Sequence, residues 1–352
     1  MIVRTAIFAM GTRFELVLEG RSSSHAEAAG EAAMEVVAEW DARLSRFRSD
    51  SLVSRINREA GAAWVRVDSE TFDLLDRCLR WRVETAEAFD ICVGKSMDRL
   101  RASSAALSPG ESAVGACELD RASSSLRFTR ADTALDLGAI GKGFALDRAA
   151  EVLREAGIEC ALLHGGTSSV IALGAPPTSP EGWRVDLGPE LEHATVVLRD
   201  RALSVSAARG SRGLRSQGAA KGHIVDPHDG TLLTTDARCA VCAPSATQAE
   251  VWSTAMLVLR ARRGGGTAQS PAVVVPDDVD CTVRDGTGAI HRPRARAIPR
   301  GARAPERPPV VRGRADMNQP RDPWLVAPAS EKSEQAFPGP GQVKEVVFDG
   351  NP

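Results

Sequence analysis

The chain has 352 residues, enough for one large domain or two small ones, and 43% of them are hydrophobic, enough for a continuous core. Forty-four basic against 46 acidic residues leave a formal charge of −2, which gives no general attraction to nucleic acid or to an anionic membrane surface. No apolar run reaches the length of a membrane helix, and seven scattered cysteines suit a reducing compartment better than a disulfide framework.

Met1 to Thr5 enters strand-like sequence at once. No basic leader, apolar stretch and cleavage site precede it, so no signal peptide is visible and the expected location is the cytoplasm. Ile2 to Phe8 and Phe14 to Leu18 predict a strand pair joined by Met10-Gly11-Thr12. Ser24 and Glu27 have the spacing of a capping box. The helix they open carries Ala29, Ala33, Val36, Val37, Trp40, Leu44 and Phe47 at helical spacing. From Leu44 to Asn57 the chain turns polar, basic and serine-rich, which suits a ligand rim better than a core. A second helix is expected from Ser69, with Phe72, Leu75, Leu79 and Val83 buried. Residues 101–125 read as a variable surface connection, and Leu126 to Leu137 as a pair of strands.

Leu135 to Gly143 is the stretch around which the rest is most easily built. Asp136 ends a short apolar run, small residues follow, and a helical pattern then runs through Phe144, Ala145, Ala149, Val152, Leu153 and Ala156 to Gly157. A helix start of this kind leaves amides that attract anions, and Lys142 adds a full positive charge. The spacing is not that of a Walker A loop, which excludes a P-loop ATPase. Small residues before a helix also occur as plain turn chemistry.

Further strands are expected at Ala161 to Gly174 around a glycine turn, at Trp183 to Leu187, at Thr195 to Leu198 and at Ala202 to Ser206. A basic, glycine-rich loop to Lys221 leads to Gly222-His223-Ile224-Val225-Asp226-Pro227, where turn chemistry resumes. Cys239 and Cys242 have the spacing of a zinc or redox pair, but no second pair stands at a suitable distance, and a buried strand accounts for them. Ser245 to Leu259 predicts a helix packed through Ala249, Trp252, Ala255, Met256 and Leu259. Ala272 to Pro276 and Cys281 to Arg284 predict a closing hairpin. Eleven of the twenty prolines lie in 291–352, with many arginines, so that segment reads as a disordered tail behind a domain spanning 1–290.

In order along the chain stand Met-Gly-Thr at 10–12, the serine-punctuated run from Ser45 to Asn57, Ala-Phe-Asp at 88–90 and Asp-Leu-Gly-Ala-Ile-Gly-Lys-Gly at 136–143. Gly-Gly at 165–166, His-Ile-Val-Asp-Pro at 223–227 and Ala-Glu with Ser-Thr-Ala from 249 to 255 follow. This set closely resembles the ApbE family of FAD:protein FMN transferases over roughly residues 3–290. The resemblance implies an α+β fold of mixed sheets with packed helices, in two similar lobes with FAD between them. It implies transfer of FMN from FAD to a Thr or Ser hydroxyl of an acceptor protein, with release of AMP. Met10 and Phe47 would flank the flavin and adenine. Ala88, Phe89, Asp90 and Ile224 would line the nucleotide pocket, with Asp136 bonded to the nucleotide and Lys142 beside the phosphates. Mg²⁺ would be held by the Ala139 carbonyl, Glu250 and Thr254, and His223 would be the general base. The implied acceptor is of the redox-pump subunit or flavodomain type.

The chemistry agrees with this set. An unactivated hydroxyl must attack a diphosphate that repels it, and a cation, an ammonium and helix amides would stabilise the developing charge. A neutral imidazole, with a reference pKa of about 6.5, could take the hydroxyl proton. The chain also departs from the family pattern. Glu250 stands where relatives carry Asp, Thr167 where they usually carry Asp, and Ile91-Cys92 where Pro-Thr commonly follows. Two other readings stay open from the sequence: FAD pyrophosphatase, with water in place of the acceptor, and flavin binding without turnover.

Overall fold

The computed structural model describes residues 1–102, 116–188, 191, 193–208, 224–264, 275–284, 290–291 and 346–347. His223, most of the basic loop before it, the first arm of the expected closing hairpin up to residue 274 and nearly all of the expected tail lie outside them. All the described residues belong to one unit, Met1–Arg296 with Val346–Pro352.

The chain opens with β1 (Ile2–Ala9) and β2 (Thr12–Glu19), antiparallel from Ile2 opposite Glu19 to Ala9 opposite Thr12. Two residues make the turn. Met10 at φ 49° and Gly11 at φ 73° both take the left-handed conformation that matches the strand twist. Helix α1 (Ser23–Leu44) follows, and its cap is Ser22, whose hydroxyl accepts from the His25 amide at 3.2 Å. The expected box at Ser24 and Glu27 does not form, because Ser22 already takes the orphan amide and Glu27 bonds Ser23 instead. Helix α2 (Leu52–Glu59), strand β3 (Val65–Arg66) and helix α3 (Ser69–Glu84) come next. On α3, Phe72, Leu75 and Cys78 are buried, whereas Val83 is 78% exposed on the last turn.

A short helix that the sequence pattern did not disclose, α4 (Gly94–Ala102), precedes β4 (Cys117–Asp120) and β5 (Ser125–Phe128). The expected strand pair over Leu126 to Leu137 is therefore one strand: β5 pairs back onto β4 and β3, and the chain beyond Phe128 turns toward the next helix. That helix is α5 (Gly141–Glu155), and strands β6 (Cys160–Gly165), β7 (Ser169–Leu173), β8 (Trp183–Asp186), β9 (Thr195–Leu198), β10 (Ala202–Ala207) and β11 (Arg238–Ala243) lie where the pattern put them. Helix α6 (Ala246–Gly264) and strands β12 (Asp280–Arg284), β13 (Ile290–His291) and β14 (Val346–Val347) complete the described chain. Strand β12 pairs with β11 and β13, so Val275 and Pro276 are not its hairpin partners.

Eight strands form one sheet in the order β1-β2-β6-β7-β10-β11-β12-β13, antiparallel at every pairing. The mixed sheet is the small one, β14-β8-β9, where β14 runs parallel to β8. Alternation along each strand sorts the side chains into two layers. Phe14, Leu16, Leu18, Ala161, Leu163, Ile171, Leu173, Cys239 and Val241 join the core that includes α1, α5 and α6. Leu162, Val170, Ala172, Leu203 and Ala240 point the other way, onto Trp183, Val185 and Leu198 of the small sheet. Trp40 of α1 meets Phe144 of α5 edge to face, with centroids 4.6 Å apart. All seven cysteines are free, and Cys239 is fully buried 3.4 Å from Cys281, so the Cys239–Cys242 spacing belongs to a core strand. No helix among the described residues is long and apolar enough to cross a membrane.

Candidate functional site at the start of helix α5

Ile140, the residue before α5, supplies no side-chain cap. Two amides of this helix start are met from within the protein. Gly141 donates to the Leu137 carbonyl at 2.8 Å, and Gly143 donates to Glu250 Oε2 at 2.7 Å. The sequence led us to expect these amides to face outward. Instead a carboxylate from α6 sits at the positive end of the α5 dipole, where negative charge is favoured. Its other oxygen, Oε1, accepts from Ser169 Oγ at 2.5 Å and lies 3.1 Å from Lys142 Nζ. Glu250 is 3% exposed, so it is a buried charge balanced by one ammonium and two donors.

Gly143 makes this approach possible. A Cβ there would lie 2.5 Å from the Ala246 carbonyl oxygen and 2.9 Å from Glu250 Oε2, so any side chain would push α5 and α6 apart. The capping is reciprocal. Asp147 of α5 accepts from the Ala246 amide at 2.7 Å, the Thr247 amide at 2.9 Å and the Thr247 hydroxyl, and so closes the start of α6. Burial pushes the Asp147 carboxyl above the ordinary range, while these three donors pull it back.

A seam of hydroxyls extends from Glu250 along α6. Ser253 Oγ is 3.0 Å from Ser204 Oγ and 2.7 Å from Ser206 Oγ, and Ser206 Oγ is 3.3 Å from Thr254 Oγ1. Ser169 and Ser204 stand opposite each other across the β7–β10 pairing. The seam is polar in a layer that is otherwise apolar, and every atom in it is an oxygen. Among the described residues no group of three or more His, Cys, Asp or Glu is placed to hold a metal. A cation here would depend on Glu250, Thr254 and a backbone oxygen such as that of the exposed Ala139.

The hairpin tip reaches the same place. Met10 Sδ lies 3.7 Å from the position a Cβ would take on Gly141. Gly166, at φ 65°, packs against Thr12, which holds the glycine turn beside the tip of the hairpin.

The remaining predicted residues have the following surroundings. Asp136 bonds the Gly138 amide at 2.8 Å and Arg46 Nη1 at 2.7 Å; Arg46 also reaches the Gly94 carbonyl and Asp98. Phe47 is 74% exposed, with the Arg101 guanidinium 4.8 Å and that of Arg46 5.8 Å from its ring centre. Ala88 and Phe89 are 1% exposed, so their side chains belong to the core. Asp90 is buried too: it accepts from the Cys92 amide at 2.8 Å, and its other oxygen lies 3.1 Å from Arg82 Nε. Burial raises the Asp90 carboxyl, opposed by the Cys92 amide and Arg82. Ile224 is partly buried, and its carbonyl accepts from Leu233 at 2.9 Å.

Sequence reasoning missed Ser169, Asp147, Arg46 and Arg262. The cluster Thr167-Ser168-Ser169 at a strand start carried a signal, being polar in a run that is buried from Ser169 onward. Asp147 and Arg262 carried none, since their partners lie 99 and 36 residues away.

An all-antiparallel eight-stranded sheet clad by three helices, with a polar site where two helices cap each other, defines an α+β protein rather than a doubly wound nucleotide fold. The chain belongs to the ApbE family, whose pattern matches residues 10–275. It is 27% identical over 271 residues to the FAD:protein FMN transferase of Treponema pallidum, spanning 69% of this chain and 74% of that protein. The Salmonella typhimurium protein of the same name is 26% identical over 252 residues, spanning 66% and 69%. The ApbE protein of Thermotoga maritima superposes with a TM-score of 0.69 at 21% identity, covering 83% of this chain and 97% of its own. The flavin transferase ApbE of Vibrio cholerae gives 0.63 at 19% identity with the same coverage.

Proposed function

We propose that this protein transfers the FMN moiety of FAD to a Thr or Ser hydroxyl of an acceptor protein, releases AMP, and depends on Mg²⁺ held at Glu250. Family membership and the names of its relatives support the reading. One observation of this chain carries it: the buried carboxylate of Glu250 lies between Lys142 and the start of α5, with Thr254 one turn further along the same helix.

The donors suit the ion. A hard cation takes oxygen ligands, and Glu250, Thr254 and the Ala139 carbonyl would supply them, with water and diphosphate oxygens completing the set. The Lys142 ammonium, 3.1 Å from Glu250 Oε1, supports the reading that this carboxylate pairs with positive charge. When bound, Mg²⁺ would lower the cost of charge on the phosphates.

The chain's own residues would do the rest. Lys142 would hold the diphosphate. Phe47 would stack on an aromatic ring of FAD and Met10 would flank it. Asp136, already oriented by Arg46, would bond the nucleotide, and the segments of Ala88, Phe89, Asp90 and Ile224 would wall the pocket. The acceptor oxygen bonds to the FMN-side phosphorus, the phosphorus–oxygen bond to AMP breaks, and His223 would take the hydroxyl proton. The acceptor is proposed to be a redox-pump subunit or a flavodomain.

The test is incubation with FAD, Mg²⁺ and such an acceptor, following AMP by chromatography and covalent flavin by in-gel fluorescence. AMP matched by covalent flavin supports transfer. AMP with free FMN, whether or not acceptor is present, replaces it with hydrolysis, and retained FAD with no AMP overturns catalysis. Full transfer by His223→Ala at neutral pH would remove the base assignment.

A further inference from the structure

Glu250 sets the carboxylate proposed above to hold the cation one methylene further from its helix than an aspartate would. A longer carboxylate has more rotamers and reaches further, whereas Mg²⁺ requires short, near-octahedral contacts. Something must therefore hold the side chain in one pose. Among the described residues three groups bond or pair with its carboxylate: Ser169 Oγ at 2.5 Å and Lys142 Nζ at 3.1 Å on Oε1, and the Gly143 amide at 2.7 Å on Oε2. Ser169 is fully buried, and its strand is locked on both sides by β6 and β10, so the hydroxyl position is rigid. Lys142 differs from the other two. Its side chain is 23% exposed and ends a flexible stem, so it can leave.

We infer that Ser169 is a positioning residue for Glu250, and that the divalent cation enters this site by displacing the Lys142 ammonium from the carboxylate while Ser169 and the Gly143 amide keep it in place. The exchange deepens the metal reading given above and rests on it. The buried carboxylate keeps a cationic partner through the exchange, and the extra positive charge of a dication over an ammonium would be offset by an anionic diphosphate. The exchange would also free the Lys142 ammonium to pair with a diphosphate. A hydroxyl that orients a ligating carboxylate is the arrangement by which outer groups commonly tune metal sites.

The probe is Mn²⁺ alone, without nucleotide, titrated calorimetrically into the full chain and followed in parallel by thermal unfolding. Ser169→Ala is expected to weaken Mn²⁺ binding about tenfold. Lys142→Met removes the competing charge and is expected to tighten it about fivefold, with a larger Mn²⁺-dependent rise in unfolding temperature. In a Glu250→Asp background the shorter side chain no longer spans to the hydroxyl, so Ser169→Ala should change affinity by less than about twofold. A purely structural serine would weaken both backgrounds equally and overturn the positioning role. Should the parent chain bind Mn²⁺ while Lys142→Met binds it no better, the exchange fails and the metal site stands. Should the parent chain bind no Mn²⁺ at millimolar concentration, the metal reading falls and takes this inference with it. If Lys142→Met unfolds without metal, its recovery on adding Mn²⁺ supports the exchange, and no recovery opposes it.

Discussion

Asp90 has a side chain wholly removed from solvent, and its raised carboxyl makes it a reporter at the level of one residue. A carboxyl that holds its proton more tightly when folded than the 3.8 of an exposed one gives the native state extra bound protons between those two values. Its contribution to stability is then fully present below that pH and is lost as pH rises through the folded value. Replacing Asp90 by Asn removes the ionisation. The stability of Asp90→Asn relative to the parent should therefore improve as pH is raised from 3.5 to 7, read as the difference in thermal midpoints; a difference that does not change with pH would contradict the assignment. Asn57 is a second residue whose role is local: its amide brackets the Leu135 backbone, donating to the carbonyl at 3.0 Å and accepting from the amide at 2.7 Å. It holds the entry to the α5 turn, which gives the serine-rich run a structural purpose beside its position near the site.

Helices α5 and α6 illustrate what an element contributes. Each lacks a complete cap of its own on the site side, and each receives a carboxylate from the other, Asp147 onto α6 and Glu250 onto α5. Phe144 anchors α5 between this pair and α1 through its contact with Trp40. Truncating it opens a cavity in a close-packed layer, so Phe144→Ala should cost about 3–5 kcal/mol in urea unfolding. A loss below roughly 1 kcal/mol would mean that α1 and α5 close over the gap or never packed there. The same mutation should shift the start of α5 and hence loosen the Glu250 cradle, because the helix is rigid along its length.

Arg262 acts across the whole unit. From the end of α6 it grips both oxygens of Asp226, at 2.8 and 2.6 Å, and its Nη2 also reaches the Glu87 carbonyl at 3.3 Å. Three segments distant in sequence are thereby joined: the turn after α3, the turn that begins at Ile224, and α6. The pair is only slightly exposed, so Arg262→Met, which leaves Asp226 without its partner, should cost about 2 kcal/mol. Asp226→Asn should cost a similar amount, and the double variant less than the two added, which a double-mutant cycle in urea would measure. Strict additivity would show that the contact contributes nothing.

Sequence pattern by itself determined the hairpin, α1, α3, α5, α6 and strands β6 to β11, because the helices repeat an apolar face and strands such as β6, β7 and β11, buried between two layers, are short apolar runs bounded by turn residues. Motif order by itself pointed to the family that the match over residues 10–275 shows, although overall identity to the relatives is only 24–27%. The tertiary structure alone decided that Glu250 rests on α5 before any ion is considered, that Ser169 holds it, and that Ala88 and Phe89 point into the core. Those facts depend on which segments meet across long stretches of chain. A buried carboxylate is stable only where a second element brings donors and a counter-charge within hydrogen-bond distance.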